Sequence, residues 1–137
     1  MALLTIRETH IYSEKALDQC QKAWEAAWLK GAEDPIALDV SERLAITDIF
    51  LIVTARSERN AGAIADGIED DLHLAGYKLN RREGKAEGRW VLLDFGDIVV
   101  HVFHEEERGF YQLEKLWRDC PVVTLESPAG ERAPDQV

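Results

Sequence analysis

Long apolar runs are missing from this chain of 137 residues. No stretch approaches the ~20 apolar residues that a membrane-crossing helix needs. The opening MALLTIRETH has neither the basic lead and apolar core of a secretory signal nor the Arg-rich, acid-poor character of an organelle transit peptide. A cytoplasmic location is expected on these grounds. Cysteine is scarce: Cys20 and Cys120 stand 100 positions apart, with no CxxC pair. That spacing excludes a zinc ribbon and argues against a disulfide framework, so both are expected as small buried apolar side chains. Positive charge is also short, with 16 Lys and Arg against 26 Asp and Glu and a net charge of −10. Binding to nucleic acid depends on Lys and Arg neutralising phosphates, so direct nucleic-acid recognition is disfavoured. A basic protein partner fits better, because long-range attraction accelerates encounter. The same acid also serves solubility, and charge alone does not separate the two readings.

What is present has the length and composition of one soluble domain, 46% hydrophobic and 31% charged. Residues 1–9 lack periodicity and read as a loose arm. From Ile11 to Lys30, Leu17, Cys20, Trp24, Ala27 and Trp28 recur at helical spacing, with Ser13 placed to cap and Gly31 to end the helix. The paired tryptophans read as core, with Trp28 a lesser candidate for an intermolecular contact. Asp34-Pro35 breaks the chain before a short strand, Ile36–Val40. Asp48–Ala55 is almost continuously apolar, as expected of a strand covered on both faces. A second helix follows Ser57, with Ala61, Ile64, Ala65, Ile68, Leu72 and Ala75 on one face and Gly76 at its end. Tyr77–Gly84 suits an edge strand running into the basic residues Arg81, Arg82 and Lys85. Two further strands, Trp90–Asp94 and Ile98–Phe103, are joined through Phe95-Gly96-Asp97, a pairing that suits a tight hairpin. Glu105–Glu107 then lead a final helix through Phe110, Leu113, Leu116 and Trp117, and Cys120-Pro121 ends it. The composition of residues 124–137 is that of a disordered tail. This order predicts an α/β domain over residues 1–123, with one mixed five-stranded sheet and helices packed on it.

Chemistry has little to work with. Asp94-Phe95-Gly96 spells the metal-binding tripeptide of protein kinases, but the other kinase motifs are absent. His101 and His104 would point to opposite faces of a strand, and HExxH fails because position 108 is Arg. No GxxxxGK[ST] or GxGxxG cradles a phosphate, and neither cysteine has a clear histidine partner. The carboxylates Asp66, Glu69, Asp70 and Asp71 follow helical spacing and read as a solvated face. No cofactor and no metal are expected. The richer signal is aromatic and acidic: Trp90, Phe95, Phe103, Phe110 and Tyr111 lie among Asp94, Asp97 and Glu105–Glu107. Aromatic anchors inside an acidic rim suit contact with a basic protein. Period two places Trp90, Leu92 and Asp94 on one face, so Trp90 is the first choice for an exposed anchor and Phe95 the second. Phe103 is expected in the core.

These residues also carry a resemblance. LDVSERLAITDIFLIVTA, AIADGIED and REGKAEGRWVLLDFGDIVVHVFHEEERGFYQLEKLW together resemble the ribosomal silencing factor family, also called Iojap or RsfS, over roughly Ile36 to Val123. Its most specific parts are Leu38-Asp39-Val40, Thr47-Asp48, Ala63–Asp66, Trp90-x3-Asp94-x-Gly96-Asp97-x3-His101, and the run from Phe110 to Trp117. The resemblance implies a nucleotidyltransferase-like fold without the catalytic carboxylates. It implies a non-enzymatic repressor that binds the large ribosomal subunit through large-subunit ribosomal protein fourteen. Such a factor blocks subunit joining and lowers translation when nutrients are scarce. It places the partner-binding residues at Trp90, Asp94, Phe95, Gly96 and Asp97, to which the residue reading adds Tyr111, and it implies a homodimer when the protein is free. The arm and the last fifteen or so residues match no family pattern. Two other readings stay open: a divergent metal-dependent nucleotidyltransferase using Asp94, Asp97 or Asp66, and a dimeric scaffold.

Overall fold

The computed structural model describes residues 12–85 and 88–128, with the side chains of Lys85, Phe110 and Tyr111 outside the description. Helix α1 spans Glu14–Leu29 and helix α2 spans Glu58–Leu74. Ser13 Oγ accepts from the Ala16 amide at 3.0 Å, and Ser57 Oγ accepts from the Asn60 amide at 3.0 Å. Each serine satisfies an amide that the first helical turn leaves orphaned. Gly31 and Gly76 follow the two helices with left-handed backbone, as their positions predict.

Strands β1 (Glu33–Asp39), β2 (Ile49–Ala55), β3 (Arg81–Lys85), β4 (Trp90–Asp94), β5 (Ile98–His104) and β6 (Val122–Val123) form one mixed sheet, ordered β3-β4-β5-β2-β1-β6. Among the described residues this is six strands, one more than the sequence pattern predicts. The extra strand is a two-residue pairing against Ala37 and Leu38, too short to leave a period-two signature. Beyond it the chain runs on to Pro128. Gln21 clamps Glu126 there, donating to its carbonyl at 2.9 Å and accepting from its amide at 3.0 Å. This stretch lies in the span that composition alone assigns to the tail. The edge strand β3 begins at Arg81 rather than Tyr77; the Tyr77 hydroxyl instead donates to Asp18 at 2.6 Å, tying the end of α2 to α1. That bond follows a hydrogen bond from Lys22 in holding the Asp18 carboxyl below its ordinary range.

The two sheet faces are covered unequally. Helices α1 and α2 pack on one face and against each other. The main core lies beneath them, built from Ile49, Leu51 and Val53 of β2, Ile98, Val100 and Val102 of β5, and Val91 and Leu93 of β4. Trp24 and Cys20 are buried in it, and Trp28 packs at its margin. Burial pushes the Cys20 thiol up to about 12, so it behaves as a small apolar side chain. The other face holds a smaller cluster of Leu38, Val40, Phe50, Ile52, Phe103 and Cys120. It is covered by two short helices, α3 (Glu105–Tyr111) and α4 (Leu113–Leu116). The sequence predicts one continuous helix here. Gln112 breaks it with φ 49°, a left-handed conformation, so Leu113 and Trp117 turn toward the cluster while Leu116 is 69% exposed. Arg108 fastens the break: its Nε donates to Glu114 at 3.2 Å, and its Nη1 donates to Thr54 Oγ1 at 2.7 Å and to the Asp34 carbonyl.

Between β4 and β5 the turn is tight. The Phe95 amide donates to the Ile98 carbonyl at 3.0 Å, and Gly96 sits at φ 89°. A Cβ at Gly96 would lie 3.2 Å from Asn80 Nδ2 and would force a backbone conformation that L side chains rarely adopt. Gly96→Ala is expected to destabilise the fold by about 1–2 kcal/mol, read as a lower urea midpoint at unchanged slope. An unaltered midpoint would show that the turn relaxes freely.

Candidate docking face

On the less covered face, β4 and β5 present one surface. The burial of β4 alternates strictly, with Val91 and Leu93 buried and Trp90, Leu92 and Asp94 half-buried. Register sets Trp90 opposite Phe103, Leu92 opposite His101 and Asp94 opposite Val99. Side chains directly and diagonally opposite on one face meet, and the aromatic groups here do so. Trp90 stacks on Phe103 with centroids 4.7 Å apart. Its indole N–H donates to His101 Nδ1 at 3.2 Å. Phe50 of β2 meets His101 edge-on at 5.0 Å and Trp117 edge-on at 5.0 Å, and the Arg43 guanidinium lies 4.5 Å above the Trp117 ring. A row of aromatic rings therefore crosses the sheet from β4 to the end of α4.

The hairpin aspartates do structural work. Asp94 Oδ1 accepts from the Gly96 amide at 2.8 Å, closing the turn. The Asp97 carbonyl accepts from the Asp48 amide at 2.8 Å, and its carboxylate faces Lys15 at 3.3 Å. Asp66, with Glu69, holds Arg82 at 2.8 and 3.1 Å. That use of α2's acidic face turns Arg82 away from the open surface, while its neighbour Arg81 pairs with Glu83 at 3.2 Å. Among the described residues no three His, Cys, Asp or Glu side chains come together in a way that could hold a metal ion.

The expected site residues are only partly brought together. Trp90, Asp94, Gly96 and Asp97 share the hairpin, as the sequence reading holds. Phe95 does not serve as an exposed anchor: it is 5% exposed and joins the core under α1 and α2. The reason is parity, because Phe95 continues the Val91–Leu93 side of the alternation. Trp90 is half-buried rather than fully exposed. The Tyr111 side chain lies outside the described residues. His104 accepts from the Glu106 amide at 3.2 Å and caps α3. Sequence reasoning missed His101 as a member of this face. Its spacing from Trp90 across a predicted hairpin was the available signal, since a one-residue change in register would have parted them.

His101 is also the most perturbed group on this face. It is 5% exposed, and burial pushes its pKa from 6.5 down to about 4. The unfolded chain therefore takes a proton at a pH where the folded chain refuses it. Stability from this group is complete above pH ~6.5 and is lost as pH falls toward 4. A shift of this size corresponds to on the order of 3 kcal/mol. His101→Phe is expected to remove that component, so urea midpoints between pH 7 and pH 4 should fall less steeply than for the native chain. Parallel declines would contradict it.

The comparisons with known proteins agree with this architecture. Residues 13–137 match the family described as "Ribosomal silencing factor during starvation". The chain is 46% identical over 97 residues to the ribosomal silencing factor RsfS of Bacillus subtilis (strain 168), covering 71% of this chain and 82% of that protein. It is 35% identical over 79 residues to the chloroplastic protein Iojap of Zea mays, covering 58% of this chain and 34% of that protein. A crystal structure from Chromobacterium violaceum superposes with a TM-score of 0.71 at 31% identity, covering 88% of this chain and 97% of the other. One from Bacillus halodurans gives 0.69 at 40% identity, covering 82% and 100%. The chain belongs to the ribosomal silencing factor family.

Proposed function

We propose that this chain represses translation by occlusion. It docks on the large ribosomal subunit through large-subunit ribosomal protein fourteen and prevents the small subunit from joining when nutrients are limiting. No cofactor and no catalysis enter. It works in the cytoplasm and pairs as a homodimer when free. The docking surface is the half-exposed strip of β4 and its turn: Trp90, Leu92, Asp94, Gly96 and Asp97; Tyr111 joins them on the sequence reading alone. Phe95 props the turn from the core side.

The observation that carries this reading is Trp90. Its large ring is half-buried, stacked on Phe103 and hydrogen-bonded to His101, so it loses little side-chain freedom when a partner covers it. Asp94 at the far end of the same strand face and Asp97 in the turn beyond it, with a net charge of −10, suit a basic partner. Nothing in the site favours the nucleotidyltransferase alternative, because Asp66, Asp94 and Asp97 already hold Arg82, the turn and Lys15. Calorimetry with magnesium and nucleotide triphosphates checks that exclusion, and clear binding would reverse it.

Trp90→Ala is expected to weaken binding to purified large subunits by about 2 kcal/mol or more, the scale of an interface hot spot. Co-sedimentation reads it, and full binding by the folded variant would sink the assignment. Association should also slow as salt is added, because the acidic rim acts through screened long-range attraction. An on-rate indifferent to salt would remove that rim from the mechanism.

A further inference from the structure

His101 is an expensive residue for its position. Its ring is buried between Phe50, Phe103 and Trp90, where a phenylalanine would pack equally well. Because Nδ1 accepts the Trp90 indole proton, the neutral ring carries its own proton on Nε2. That Nε2 is buried with no hydrogen-bond partner among the described residues. Leaving a buried donor unsatisfied costs more than one neutral hydrogen bond to a half-exposed indole returns. The pair does not serve net stability. What it does supply is direction: one hydrogen bond at the indole edge fixes which edge faces out.

We propose that His101 is a positioning residue for docking, holding the Trp90 indole in a single outward orientation before a partner arrives. The inference rests on the reading that Trp90 meets the large subunit. Histidine suits the task because its Nδ1 lies on the same face as Trp90, one diagonal step across the β4–β5 pair. It remains neutral at physiological pH, so the acceptor is always available.

Two substitutions in the full chain separate positioning from packing. His101→Phe keeps ring volume and deletes the acceptor. His101→Asn keeps an oxygen near the place of Nδ1. In co-sedimentation with purified large subunits, His101→Phe is expected to bind about tenfold more weakly, the effect of one lost neutral hydrogen bond, while His101→Asn stays within about threefold of native. In the free chain, the Trp90 indole proton should exchange with water about tenfold faster in His101→Phe and near the native rate in His101→Asn. A role in packing alone would not follow that order. If His101→Phe binds at native affinity while Trp90→Ala is weakened, the positioning role is overturned and the docking face stands. If Trp90→Ala also binds at native affinity, the docking face fails and this inference falls with it. Should either variant not fold, nitrogen NMR of the native chain decides: the proton belongs on His101 Nε2, and a proton on Nδ1 overturns the proposal.

Discussion

The structure depends on the parallel pairing of β2 with β5. These are the two central strands, in register from Ile49 opposite Ile98 to Ala55 opposite His104. Every residue of β2 is buried, so both of its faces must be covered by something. One face receives α1 and α2, which bring alanines, isoleucines and Trp24 to a single core. Among the described residues the other receives two short helices, α3, which contacts β5 and β2, and α4, whose Leu113 packs on the smaller cluster. Burying apolar surface drives both coverings, but the second supply of helix is too small to extend across the sheet.

The candidate docking face follows from that shortage. With the central strands satisfied, the flanking strand β4 keeps Trp90, Leu92 and Asp94 half-exposed. A half-covered sheet face with a tryptophan on it is a liability for a free protein and an asset for one that binds. Here the liability is contained by stacking on Phe103 and by the His101 hydrogen bond. The exposed leucines Leu29, at 45%, and Leu74, at 83%, lie on the helical side.

Much of this was legible in the sequence where one physical rule acts alone. Ser13 and Ser57 cap their helices, Gly96 turns the hairpin, and the unbroken apolar run of β2 marks a strand covered twice. The alternation in β4 gave the correct face for Trp90. The failures come where two rules compete. Phe95 sits at a turn, which suggests exposure, yet strand parity carries it into the core. The stretch from Glu105 to Trp117 has helical composition, yet the Arg108 contacts with Thr54, Asp34 and Glu114 go with a break at Gln112 that no local propensity announces. The strand β6 exists only because Val122 and Val123 find the edge of β1. The sequence reading sets His101 only against His104 on its own strand, whereas its place follows from carrying the predicted hairpin's register across to Trp90.

The central claim is that the chain engages the large subunit with the β4 side of its sheet. Hydroxyl-radical footprinting of the chain, free and bound to large subunits, tests this directly. The account predicts loss of labelling at Trp90, Leu92 and Val99 on binding, with Leu29 and Leu74 labelled as before. Protection of Leu29 and Leu74, with Trp90, Leu92 and Val99 unchanged, would contradict it.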